Sequence, residues 1–340
     1  MNMLKSVFLA GAATALLAGV AQAQSPADFY KGKNVELIIG YPTGGSNDTY
    51  SRLVAQHIGR HIPGTPNVIA RNMPGAGSFL AVNTIYNTSA KDGTVLGLGS
   101  PTMALDEKLG NKGVRFKTSE LIWIGRLGPL VNMVFTWKTS PVKTIEDAMK
   151  IESTLSGTGA GSTVSVYPLT LNNVLGTKFK LVMGYKGSNE AMLALERGEV
   201  EGHSTSWEVV KAVNPAWIKD GKLRFLVQHS ITRHPELPNV PTSVELAKNE
   251  TDRAILHTIM SAAEVGKAYF TTPGVPAERV TALRRAFDSM MKDPQFIDAV
   301  TKLGGDVTPM RGEELQQMIA DLDKLPNDLV ERVKAVYNEQ

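Results

Sequence analysis

The stretch Tyr41-Pro-Thr-Gly-Gly-Ser-Asn-Asp-Thr-Tyr-Ser-Arg52 holds the residue types best suited to chemistry, and it directly follows the apolar run Val35 to Ile39. Apolar run, Pro and paired Gly, then Leu53, Val54, His57 and Ile58 at helical spacing spell strand, tight loop and amphipathic helix. A helix entered through glycines presents unpaired backbone N–H groups. With Ser46 or Asn47 as N-cap, those donors and the helix dipole favour an anion. The loop lacks the Gly-Lys-Ser/Thr ending of a nucleotide P-loop and does not fit G-x-G-x-x-G, so a carboxylate or another small anion suits it better than a phosphate. Taken alone, a glycine turn that merely joins strand to helix explains the motif more simply.

The same arrangement recurs. Asn67-Val-Ile-Ala70 leads to Arg71-Asn-Met-Pro-Gly-Ala-Gly-Ser78 and a helix from Phe79 to Tyr86, and Thr94 to Leu98 ends in Gly99-Ser-Pro-Thr102. In an open parallel sheet such carboxyl ends face the ligand crevice. A crossing to a second lobe is placed near Met133-Val-Phe-Thr136. Beyond it the pattern returns in Ser153-Thr-Leu-Ser-Gly-Thr-Gly-Ala-Gly-Ser-Thr163, in Leu181-Val-Met183 before Gly184-Tyr-Lys-Gly187, and in Val200-Glu-Gly-His-Ser-Thr-Ser-Trp207. Lys267-Ala-Tyr-Phe270 marks the return to the first lobe, and a helical C-terminal remainder is expected to pack there.

Other chemistry has weaker support. His57 and His61 have the i, i+4 spacing of a metal pair, but neither an H-E-x-x-H pattern nor a third ligand accompanies them. There is no G-x-S-x-G elbow. Asp48, Glu201 and His203 offer an acid and base set, yet distance in sequence supplies no geometry. No catalytic residue, metal site or cofactor is therefore assigned.

Lys5, the apolar segment Val7 to Val20 and Ala21-Gln-Ala23 describe a secretory signal over residues 1–23, cleaved after Ala23, which puts the mature chain in the periplasm. Without Lys5 the chain has 35 basic and 33 acidic residues, a near balance with no basic run that argues against nucleic acid. With no cysteine, disulfides and thiol catalysis are excluded, and the fold of an exported chain rests on its core. A mature chain of about 317 residues exceeds what single cores usually reach, which suits two α/β lobes.

Together these residues resemble the extracytoplasmic solute receptors of tripartite tricarboxylate transporters, the Bug or TctC family, over nearly the whole mature chain. The carriers of the resemblance are Pro42-Thr-Gly-Gly-Ser-Asn-Asp48 with Ser51-Arg52, Asn72-Met-Pro-Gly-Ala-Gly77, Asp92-Gly-Thr94, Tyr185-Lys-Gly187 and Leu237-Pro-Asn-Val-Pro-Thr242 with Glu245. Departures are Ser78 for a second Gly, Gly184 for Pro, Ser165 for a frequent His, and Glu201 for Asp. The resemblance implies a Venus-flytrap periplasmic binding protein with hinge crossings and a mixed, mainly parallel sheet in each lobe. Lobe 1 is expected at 34–130 plus 265–335, and lobe 2 at 131–264. It further implies a monomer that closes on a small organic carboxylate and delivers it to the membrane subunits of the transporter. An exported sensor for a receptor kinase, or an enzyme acting on a carboxylate, stays open at this point. The residues expected at the ligand are Thr43, Gly44, Gly45, Asn47, Ala76, Gly77, Ser78, Ser100 and Thr102 from lobe 1, with Gly161, Ser162, Thr163, Tyr185, Gly187 and Ser204 from lobe 2. Arg52 and Arg71 lie away from the loop tips, so neutral donors rather than an arginine clamp are expected to hold the acid.

Overall fold

The computed structural model describes residues 24–159, 162–322 and 324–337. The expected leader at 1–23 and the candidate Gly161 lie outside them. The strands are β1 (Asn34–Ile39), β2 (Asn67–Asn72), β3 (Val95–Leu98), β4 (Ile122–Arg126), β5 (Asn132–Trp137), β6 (Ser153–Ser156), β7 (Phe179–Val182), β8 (Gly202–Ser206), β9 (Leu223–His229), β10 (Ala268–Thr271) and β11 (Met310–Arg311).

Among the described residues they form two sheets, one ordered β11-β4-β10-β3-β1-β2 and the other β7-β6-β8-β5-β9. The fold is a two-lobed α/β fold. In the first sheet β1 pairs in parallel with β2 and β3, while β10 lies antiparallel between β3 and β4. In the second, β6 is parallel to β7 and β8, and β5 lies antiparallel between β8 and β9. The against-the-grain strand beside each crossing, β5 or β10, is thus the one by which the chain has just entered that lobe. Leu37 and Ile39 of β1 point into one core with Tyr50, Val54 and Phe287, and Ile38 into another with Val82, Trp123 and Phe270. This two-sided burial explains why β1 reads as a continuous apolar run rather than an alternation.

The two crossings run side by side. Lys267 N–H donates to the Gly128 carbonyl (3.0 Å), Leu127 N–H to the Lys267 carbonyl (3.0 Å) and Leu130 N–H to the Ala263 carbonyl (3.1 Å). Gly266 sits at φ +55°, and a Cβ on it would lie 2.1 Å from the Gly128 carbonyl oxygen, so only glycine fits. The buried ammonium of Lys267 pairs with Glu208 Oε2 at 2.5 Å on one side and faces the Tyr50 ring, 5.0 Å from its centroid, on the other. One side chain at the crossing therefore touches a helix of each lobe, Trp207–Val213 and Ser46–Ile58.

The C-terminal remainder divides. Helix Gly312–Leu322 packs on the first lobe through Leu315 and Ile319. Helix Asn327–Tyr337, which the sequence reading leaves with that lobe, instead buries Val330, Val333 and Tyr337 with Val166, Leu171 and Leu256 of the second. Its apolar stripe at helical spacing shows that it is buried but not against which core.

Candidate functional site

Three loops at the carboxyl ends of β1, β2 and β3 build the first wall. Helix Ser46–Ile58 is capped by the extended Gly45, one residue before the expected Ser46 or Asn47. The reason is Asp48: its buried carboxylate accepts from Gly44 N–H at 2.9 Å and from Asn72 Nδ2 at 2.7 Å, and pairs with Arg52 Nε at 3.0 Å. Burial raises its pKa, but the hydrogen bonds from Arg52, Asn72 and Gly44 outweigh that and hold it below the usual carboxylate range. Gly44 N–H is thus already used inside the loop, and Thr43, Gly45 and Asn47 carry what that loop can offer.

The second loop turns through Ala76 (φ +47°), Gly77 (φ +64°) and Ser78 (φ +80°), left-handed backbone that costs a non-glycine residue roughly 1 kcal/mol or more. Ser78 is held there because its Oγ accepts Ser100 N–H at 2.7 Å. It fits because Gly40 lacks a Cβ, which would stand 2.6 Å from that of Ser78. Ser100 and Thr102 hydroxyls then bond at 2.8 Å. Ser78, Ser100 and Thr102 are therefore brought together and buried, whereas Thr43, Gly44 and Ala76 stand at the exposed rim.

The facing wall comes from β6, β7 and β8. Thr158 and Ser162 hydroxyls bond at 2.5 Å, and Thr158 N–H donates to Ser165 Oγ at 3.2 Å, which ties the loop to the helix Thr163–Leu175. Ser188 and Thr205 hydroxyls meet at 3.0 Å below Gly187. Lys186 is exposed, and Tyr185 is half-buried. The walls touch where Asn189 Nδ2 donates to the Gly44 carbonyl at 3.2 Å.

Of the candidates, only Ser204 belongs to a set that sequence reasoning otherwise missed. Among the described residues, buried polar atoms with no partner include Asn132 Nδ2, Ser204 Oγ, Ser206 Oγ and His229 Nε2, together with Tyr167 OH and Asp106 Oδ2. Asn132 is in register with Ser206 on one side and His229 on the other, so their side chains share a sheet face with Ser204. Helix Thr163–Leu175 covers that face and lays the Tyr167 ring 4.7 Å from His229. Asp106 stands one turn past Thr102 with Tyr337 beside it. Burial pushes its carboxyl up to about 7, which the Thr102, Tyr337 and Asn111 side chains only partly offset. Burial likewise pushes His229 down to about 3, so it is neutral. The one available signal is Ser204-Thr-Ser206, polar residues alternating on what is otherwise a core-facing strand.

The other expectations resolve simply. Arg52 serves Asp48 and Asn72, and Arg71 pairs with Glu36. His57 faces Arg60 and His61 faces Asp293 rather than bare solvent. Asp48, Glu201 and His203 each have separate partners: Arg52, the Thr154 N–H and Ser156. Among the described residues no cluster of three or more His, Cys, Asp or Glu could hold a metal ion.

The family model described as TctC, the tripartite tricarboxylate transporter family receptor, matches residues 51–334. The chain belongs to this family. It is 25% identical to the UPF0065 protein in the gbd 5' region of Cupriavidus necator, covering 96% of this chain and 95% of that one. To BugT of Bordetella pertussis it is 24% identical, over 94% and 95%. MatC from Rhodopseudomonas palustris with bound malate superposes with TM-score 0.68 at 21% identity, over 90% of this chain and 99% of that one. R. palustris Rpa4515 with adipate gives 0.67 at 19%, over 89% and 97%. As a tripartite tricarboxylate receptor homologue with this fold, the chain is a solute-binding protein.

Proposed function

We propose that this receptor binds a small organic carboxylate between its lobes in the periplasm and, as a monomer, delivers it to the membrane subunits of a tripartite transporter. The observation that carries the reading is the make-up of the walls: glycines, hydroxyls and helix starts at every strand end, with both nearby guanidiniums already engaged by Asp48 and Glu36. Thr43, Gly45, Asn47, Gly77, Ser78 and Ser100 are placed to hold a carboxylate by neutral donors, without the desolvation cost of a buried cation. Ser162, Thr163, Tyr185, Gly187 and Ser204 complete the grip when the lobes meet. The bound malate and adipate of the two structural relatives agree with an organic acid as ligand. Calorimetry and thermal shift against a panel of organic acids test the reading. An acid that binds should raise the melting temperature with the logarithm of its concentration over its Kd, and its binding should depend only weakly on salt. A panel in which no acid gives heat or a shift would refute it.

A further inference from the structure

We propose that the second-lobe end of this cleft is a subsite for a neutral, hydrogen-bond-donating tail, so that the ligand is a hydroxylated monocarboxylate rather than a dicarboxylate. This rests on the carboxylate-binding reading above and extends it. Five polar atoms define the subsite: Asn132 Nδ2, Ser204 Oγ, Ser206 Oγ and His229 Nε2 on one face of the second sheet, and Tyr167 OH on the helix that covers it. None has a hydrogen-bond partner among the described residues, and every one of these residues is at most 3% exposed. A buried polar group left unpaired costs on the order of 1–3 kcal/mol, so five against one sheet face call for an occupant that satisfies them.

The chemistry of the five selects that occupant. Ser243 Oγ donates to the Gln228 carbonyl (3.3 Å) and so takes the Nδ1 proton of His229 (2.8 Å), which leaves Nε2 a bare acceptor. Asn132 Nδ2 supplies donors, and the three hydroxyls serve either way. A hydroxyl-bearing tail can donate to His229 and accept from Asn132 and Tyr167. A terminal carboxylate can only accept, so it leaves His229 Nε2 unpaired and sets its charge against that lone pair.

Isothermal titration of the full mature protein with two matched sets tests this: gluconate, hexanoate and adipate at six carbons, and threonate, butyrate and succinate at four. The hydroxylated member of at least one set should bind tenfold or more tighter than both partners. His229→Phe and Asn132→Leu should each remove most of that advantage, with far-UV circular dichroism unchanged. Should adipate or succinate bind as tightly as the hydroxylated acid, the subsite assignment fails while carboxylate binding stands. Equal binding of hydroxylated and plain acids also overturns it. If none of the six binds, both this inference and the carboxylate reading fall.

Discussion

Asp106 makes a prediction whose size follows from its surroundings. Its carboxyl is buried and titrates near 7 in the folded protein, against a value near 3.8 in an unfolded chain. Between those values the folded state keeps a proton that the unfolded state has released, so stability falls as pH rises, by about 1.4 kcal/mol per pH unit. Over roughly three units the loss is about 4 kcal/mol. A mature chain of about 317 residues unfolds with an entropy of about 0.67 kcal/mol/K, so the loss corresponds to about 6 °C in melting temperature. The histidines oppose this at lower pH. His203 and His229 are pushed by burial down to about 4 and about 3, so the unfolded chain takes up their protons first and the fold weakens as pH falls below about 6.5. The wild-type curve therefore mixes two signs, and the informative quantity is its difference from Asp106→Asn, which keeps the shape and cannot ionise. Without ligand, the variant should gain on the wild type by about 5 °C between pH 4.5 and pH 8, since the histidine contributions cancel in the difference. Differential scanning fluorimetry in matched buffers reads it. A constant offset across that range would refute the assignment of a neutral, buried carboxyl beneath the third loop.

Three further outcomes follow. Asp48→Ala removes the acceptor shared by Gly44, Asn72 and Arg52, so urea unfolding at pH 7 should show a loss of about 2 kcal/mol. Because the folded pKa of Asp48 is depressed, the wild-type advantage should be present above pH 4 and vanish as the pH falls through the lower folded value. Gly266→Ala forces a Cβ against the Gly128 carbonyl at positive φ and should cost at least about 3 kcal/mol by the same measurement. Gly40→Ala drives a methyl into Ser78 and Leu98, so titration should show at least tenfold weaker binding of the protein's own ligand, with far-UV circular dichroism unchanged.

The glycine loops were legible because their information is local: Gly44, Gly45, Gly77 and the hydroxyls beside them state their backbone needs within a few residues, whereas the need for glycine at Gly40 comes from Ser78 and Leu98 and could not be read. The N-cap slipped by one residue because Asp48 turns back to Gly44, a contact that no propensity encodes. Asn132, Ser206 and His229 were not legible, since each is unremarkable in its own strand and only the register of β8, β5 and β9 sets them side by side. Asp106 was hidden for a similar reason, as one of three consecutive charged residues ending the short helix Met103–Lys108, and its neighbour Tyr337 comes from the far end of the chain. The last helix failed differently: its buried stripe was plain, but the choice between two apolar cores depends on how the chain returns.

The position of β10 sets an order of assembly. The strands of the second lobe, β5 to β9, lie in one unbroken stretch, so its sheet is complete within the chain before β10 is reached. The first lobe cannot finish, because β10 is the strand between β3 and β4, and it follows the whole of the second lobe in the chain. Closing that gap brings together segments separated by more than a hundred residues, the slow kind of contact. Until it closes, β3 and β4 present bare inner edges, so the vulnerable species during biogenesis is a half-built first lobe beside a second whose sheet is formed but whose core still awaits helix Asn327–Tyr337.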